Sequence, residues 1–254
     1  MSGAFPGADP QHAIAARRDG EAARTVACSG LRLEWRSHAQ YWQAMIEMDL
    51  GDFVAAARGF TALQGTLEAA EYSDSLLPGV LGGIVGALHL LGHDAEALEA
   101  ARRYVALTES RVNLRDWERM GVVDVTPVLV AAGEEAEAFR ILRQVERSLR
   151  RTGIPLAANH VFSTAAVVAY IQGQFERAGR LMAASRYLGG AADLPIPFRT
   201  PTGMSLYRHY LPLVREALGP EAARAARQEG RAMTMDEAWR EAVGASAVPE
   251  RHGE

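Results

Sequence analysis

The stretch AYIQGQFERAGRLM, residues 169–182, decides the fold, because it is two helical fragments joined at Gly173 and that glycine is either a local turn or one member of a series. Three other segments answer the question. LGDFVAAARGF (50–60), LGHDAEALEAA (91–101) and AGEEAEAFRIL (132–142) carry Gly51, Gly92 and Gly133 in the equivalent place, at steps of 41, 41 and 40 residues. Five residues beyond each glycine stands an alanine: Ala56, Ala97, Ala138 and Ala178. Nine beyond come Phe60, Ala101, Leu142 and Met182; twelve beyond come Leu63, Tyr104, Val145 and Ser185, all suited to a core except the serine.

This pattern specifies a helical hairpin. Upstream of the glycines, apolar helical segments are predicted over 34–50, 76–91, 114–132 and 156–172; downstream, second helices are predicted over 53–68, 94–108, 135–151 and 175–188. A helix commonly ends on a left-handed residue, and glycine adopts that conformation without steric penalty. The alanine lets the two helices approach, and the larger residues of the following turns fill the space toward the next hairpin. One hairpin per period of about 41 residues predicts an all-α, right-handed superhelical solenoid of antiparallel helix pairs.

Composition narrows the function classes. The chain has 254 residues, 48% of them hydrophobic, enough for one large domain or one repeat array. A net charge of -4 gives no general attraction to nucleic acid or to an anionic membrane. All 27 basic residues are arginines. Without lysine there is no phosphate-loop lysine, no Schiff-base lysine and no kinase-type ATP lysine. The glycine-rich GVLGGIVGALHLL (79–91) therefore reads as a helix face made small for close packing. The single cysteine, Cys28, excludes an internal disulfide, suits a reducing compartment, and is expected to be buried and inert. No signal peptide or membrane span is evident, which implies a cytoplasmic protein.

The repeats resemble tetratricopeptide repeats, whose second helix begins after a glycine with an aromatic two residues on and an alanine five on. Phe53 with Ala56 and Phe175 with Ala178 match; Asp94 and Glu135 depart at the aromatic position. The longer period resembles the helical-repeat region of the ATP-dependent transcriptional regulators of the LuxR and MalT type and their cyclase-linked relatives. There the last repeat is followed by a proline-rich connection, a helix, an LG turn and a segment like EGRAMTMDEAWREAV. This chain has Gly173, Arg177 and Ala178, then LGGAADLPIPF, then Leu218 and Gly219, then Glu229, Gly230, Arg231, Glu237 and Ala238, so the likeness covers roughly 34–244. It implies a signal-responsive regulatory setting. The ATPase module of that family needs a lysine absent here, and GASAVPERHGE after Val243 is too short for a DNA reader, so the chain is expected either to stand free or to be part of a larger regulator.

The expected organisation is a tail over 1–10, a repeat array over 11–190 that opens with a degenerate capping hairpin, an elbow with capping helices over 191–244, and a tail over 245–254. Pro195, Pro197 and Pro201 make the elbow. Beyond it Leu206, Tyr210, Leu213 and Leu218 share a face that is expected to cover the last repeat. Thr234 with Glu237 is a capping box, and Trp239 is a core anchor.

Ligand contact is expected on the stripe lined by the first helix of each hairpin, thirteen, ten, six and three residues before each glycine. It comprises His38, Tyr41, Met45 and Met48, then Gly79, Gly82, Gly86 and His89. It continues with Met120, Val123, Pro127 and Val130, then His160, Ser163, Val167 and Tyr170. Apolar, aromatic and uncharged, it suits a groove for an apolar helix or extended peptide, and the opposing possibility is that a tighter superhelix closes over it as core. Pro127 inside a helical run predicts a kink. His89 and His93 have a zinc-like spacing, but His93 falls in the turn and no glutamate partner follows, so no metal or cofactor is expected. With no GxSxG elbow either, the expectation is a non-enzymatic module that binds a protein, a peptide or a small inducer; the alternative is a structural scaffold. The run RILRQVERSLRR (140–151) reads as a solvated face able to meet an acidic partner.

Overall fold

A computed structural model describes residues 33–70, 76–110, 121–152, 158–188 and 201–243. Cys28, Met120, the first capping hairpin and most of the proline elbow lie outside those residues. The chain forms two compact units, Met1–Gln40 and Tyr41–Glu254. In the first, residues 33–40 are helical. The second is all-helical among the described residues, with each helix packed on its neighbours.

The helices are α1 (33–50), α2 (Phe53–Ala69), α3 (Leu76–Leu90), α4 (Asp94–Ser110), α5 (Thr126–Ala131), α6 (Glu135–Thr152), α7 (Ala158–Ile171), α8 (Phe175–Tyr187), α9 (Pro201–Ala232) and α10 (Met235–Ala242). The four expected glycines all sit between consecutive helices with positive φ: +83° at Gly51, +75° at Gly92, +81° at Gly133 and +73° at Gly173. The turns are the same turn. In each, the N–H after the glycine donates to the carbonyl five residues before it: Asp52 to Glu47, His93 to Leu88, Glu134 to Leu129 and Gln174 to Ala169, at 2.8–2.9 Å. Only a left-handed residue at the glycine lets the chain close this bond and satisfy the carbonyls at the helix end. Ala56, Ala97, Ala138 and Ala178 are fully buried, as close helix approach requires. Ser185 is buried too, because its hydroxyl donates to the Met182 carbonyl at 2.8 Å and needs no water.

Two expectations change. Instead of a kinked helix over 114–132, a 3-10 turn over Gly121–Val125 leads into α5, and Pro127 stands in the first turn of that helix. A proline N–H is not needed there, so nothing kinks. The C-terminal cap also reaches farther than the last repeat. α9 breaks at Gly219, where φ is +71° and ψ is 171°, into limbs over 201–218 and 220–232. It packs on α8 and α7 and also on α3. α10 closes against α7 and α8. Its Thr234–Glu237 capping box is formed, and the Trp239 ring meets Phe162 edge-on at 4.8 Å.

Candidate functional site

The residues expected to line a groove lie mostly in the interior. Met45, Met48, Gly82, Gly86, His160 and Ser163 are buried, while Tyr41, His89 and Tyr170 are half-buried. His38 belongs to the first unit, where its Nδ1 donates to the Glu34 carbonyl at 3.0 Å.

Part of the stripe is covered by the first limb of α9. A β-carbon on Gly86 would stand 2.2 Å from Thr202 Cγ2 and 3.1 Å from the Met48 methyl, so glycine is what lets the three helices meet. Ser205 Oγ donates to the Met48 carbonyl at 3.3 Å, and Arg208 reaches Asp49 at 3.1 Å on the rim. One and two turns on, the Tyr210 hydroxyl and His89 Nε2 share a hydrogen bond of 2.8 Å, and Tyr170 meets the Tyr210 ring edge-on at 5.4 Å. Thr202, Ser205, Leu206, Tyr210 and Val214 form one buried face at helical spacing. The limb therefore rests on α1, α3 and α7 together, on the surface the sequence assigned to a foreign helix.

Burial shapes the titration of this seat. It lowers the proton affinity of His89, with Asp94 at 3.8 Å opposing and His209 reinforcing. Burial also pushes the Tyr210 phenol up to about 12, with Tyr170 and Asp94 adding. A neutral imidazole bonded to a neutral phenol is the arrangement that results. His93 stands apart in the turn, its ring 3.8 Å from Glu96, and among the described residues no three metal-ligating side chains converge.

On the stripe itself His160 has a neighbour that the sequence did not single out, Asp124. His160 Nε2 is 3.3 Å from Asp124 Oδ1, and the exposures of their side chains are 0% and 2%. The His160 carbonyl accepts from Ser163 and Thr164. Burial, and then Asp124, push the Tyr41 phenol up to about 12. The signal for Asp124 was its place as a lone carboxylate in the apolar run GVVDVTPVLVAA (121–132).

The glycine-rich helix α3 is a packing surface. Gly83 meets the Phe60 ring so closely that a β-carbon would stand 2.5 Å from it, and a β-carbon on Gly82 would touch Tyr104 at 3.3 Å. No helix among the described residues is long and apolar enough to cross a membrane.

What the geometry defines is a class: an all-α protein of helix pairs joined by one recurring glycine turn, with a C-terminal helix seated on the first-helix stripe. No family model matches the chain, and no curated protein or solved structure does.

Proposed function

We propose that the chain is a non-enzymatic binding module, a right-handed solenoid of tetratricopeptide-like hairpins whose first-helix stripe receives an amphipathic helix from a protein partner. The observation that carries this reading is the seat occupied by residues 201–218. A surface that already holds one amphipathic helix through Gly86, Met48 and His89 has the shape and chemistry to hold another. The chain's own limb then acts as a resident competitor, and a partner that displaces it frees α9 to signal onward. The resemblance to LuxR- and MalT-type regulators supports reading such an exchange as part of signal-responsive transcription control, and the proposal takes the chain as cytoplasmic and as making no direct contact with nucleic acid.

The test is a double variant, Thr202→Arg with Ser205→Arg, whose own limb is kept from seating, titrated with a labelled synthetic peptide of residues 201–218. Saturable binding by the variant and none by the unaltered chain is expected. A variant that stays helical by circular dichroism yet takes up no peptide overturns the reading.

One observation favours a scaffold instead. Trp42, Ile46 and Leu50 follow one another at four-residue spacing along α1 with exposures of 57%, 58% and 80%, and Val54 extends the row into α2. Large apolar side chains aligned on one helix face mark a protein contact. If Ile46→Glu and Leu50→Glu break an isolated complex while peptide uptake at the stripe stays nil, the scaffold reading replaces the first.

A further inference from the structure

The break in α9 at Gly219 creates a second feature, on the side of the limb that meets α8. Its two limbs diverge over one face of α8 and leave a cavity of about 600 Å³. Small-molecule sites typically occupy roughly 300–1,000 Å³. The floor is apolar, made by Gly179, Met182 and Ala183 of α8 with Leu211, Val214 and Leu218 of the first limb. The rim is cationic, carrying Arg186 from α8, Arg215 from the first limb, and Arg224 and Arg227 from the second, against the single carboxylate of Glu216.

These four arginines make no ion pair among the described residues, a state they share with Arg58, Arg143 and Arg147; what sets them apart is their convergence on one cavity. Arg140 bonds Glu137 and Glu109, Arg150 bonds Glu146 and Asp236, and Arg180 bonds Glu229 and Glu241. Among the described residues no carboxylate comes within 4.0 Å of Arg186, Arg215, Arg224 or Arg227. Two cations instead converge on one phenol: Arg227 donates to the Tyr187 hydroxyl at 3.1 Å, and the Arg231 guanidinium lies 4.4 Å from the ring centroid. The hydrogen bond from Arg227, with the nearby charges of Arg231 and Arg186, holds that phenol below its ordinary value. In a protein of net charge -4, a ring of like charges around an apolar floor is a local concentration of positive field. Guanidinium groups recognise carboxylate and phosphate by paired, charge-assisted hydrogen bonds.

We propose that this crook is a binding site for a small organic anion, with an apolar body on the α8 floor and a carboxylate or phosphate group held by the rim arginines. Arg227 is positioned by its hydrogen bond to Tyr187, and Arg186 lines the same cavity. Because two limbs of one helix form the walls, occupancy also fixes the angle at Gly219 and hence steadies the limb seated on the stripe.

The test is calorimetric titration of the full chain with phenyl phosphate and with benzoate, beside inorganic phosphate and benzyl alcohol, which carry only one half of the chemistry. Saturable binding of at least one two-part probe is expected, about tenfold tighter than either half. The tighter of the two assigns the head group. Arg186→Gln and Arg227→Gln should each weaken it about tenfold without moving the melting temperature. Ala223→Trp keeps every arginine but sets an indole into the space between the limbs, and should abolish binding. No saturable binding of either two-part probe overturns the proposal, as does binding that inorganic phosphate equals or that Ala223→Trp leaves intact. The peptide titration at the stripe is a separate experiment, so failure of one site is distinguishable from failure of the other.

Discussion

Gly86 and Thr202 approach so closely that a β-carbon on the glycine would lie 2.2 Å from the threonine methyl. The contact ties the middle of the α3 packing surface to the first turn of α9. Gly86→Ala would gain roughly 1 kcal/mol of helix propensity in isolation. Here overpacking of about 1–3 kcal/mol outweighs that gain, because Met48 closes the other side at 3.1 Å. Chemical denaturation should therefore show a net loss, and Thr202→Ser, which removes the methyl and leaves the threonine β-carbon position at 3.4 Å, should restore most of it. Equal losses with and without Thr202→Ser would show that the limb does not depend on this contact.

The four recurring turns give a prediction free of packing. A β-carbon at Gly51, Gly92, Gly133 or Gly173 meets nothing within 4 Å, yet each φ lies between +73° and +83°. Substitution by alanine should cost about 1 kcal/mol at each position, the penalty of a left-handed conformation alone. Asparagine, which tolerates that conformation, should cost less at each. Four unequal alanine costs in urea denaturation would mean the turns do not play the same part.

These turns were legible in the sequence because their cause is local: a left-handed residue, a carbonyl five residues back to satisfy, and an alanine at the close approach. The capping box at Thr234 and the anchor at Trp239 were legible for the same reason. The occupant of the stripe was not, because His89 and Tyr210 are 121 residues apart and nothing in either segment names the other. The face of α9 could be read from Leu206 and Tyr210, but not the reach of that face across α3. Pro127 misled because periodicity runs unbroken through the 3-10 turn, which hid the true helix start at Thr126. The arginine rim escaped because its members come from three segments, each of which alone is an ordinary solvated helix face.

Asp124 and His160 should behave as a unit. Both are buried and 3.3 Å apart, so Asp124→Ala takes a buried polar neighbour from the imidazole, a loss of about 1–3 kcal/mol. His160→Ala does the converse. The double variant should cost less than the two single losses added, by about 0.5–3 kcal/mol, as expected for directly coupled residues. Strict additivity in a double-mutant cycle would show that the two side chains are stabilised by different neighbours.

The His89–Tyr210 bond makes the seat of residues 201–218 sensitive to acid. Burial lowers the His89 pKa from 6.5, so near and below that value the unfolded chain binds more protons than the folded one. Stability is then complete above about pH 6.5 and falls as pH drops through the interval toward the folded-state value, with a slope of at most about 1.4 kcal/mol per pH unit. Burial shifts His209 the same way, and it adds to the slope over the same interval. Glu137 and Glu237 are held below the usual carboxylate value of 4.5, so they matter only in stronger acid. Urea midpoints at about pH 7.5 and about pH 5.5 should differ clearly for the unaltered chain and less for His89→Gln, whose remaining slope belongs to His209. Because the phenol of Tyr210 stays neutral throughout, protonating His89 changes only one side of the bond: a neutral ring beside the hydroxyl becomes a buried cation with Asp94 3.8 Å away and mostly exposed. Hydrogen exchange over 201–218 should therefore quicken on acidification before the four glycine turns respond. Uniform quickening along the chain would place the acid-sensitive group outside the seat.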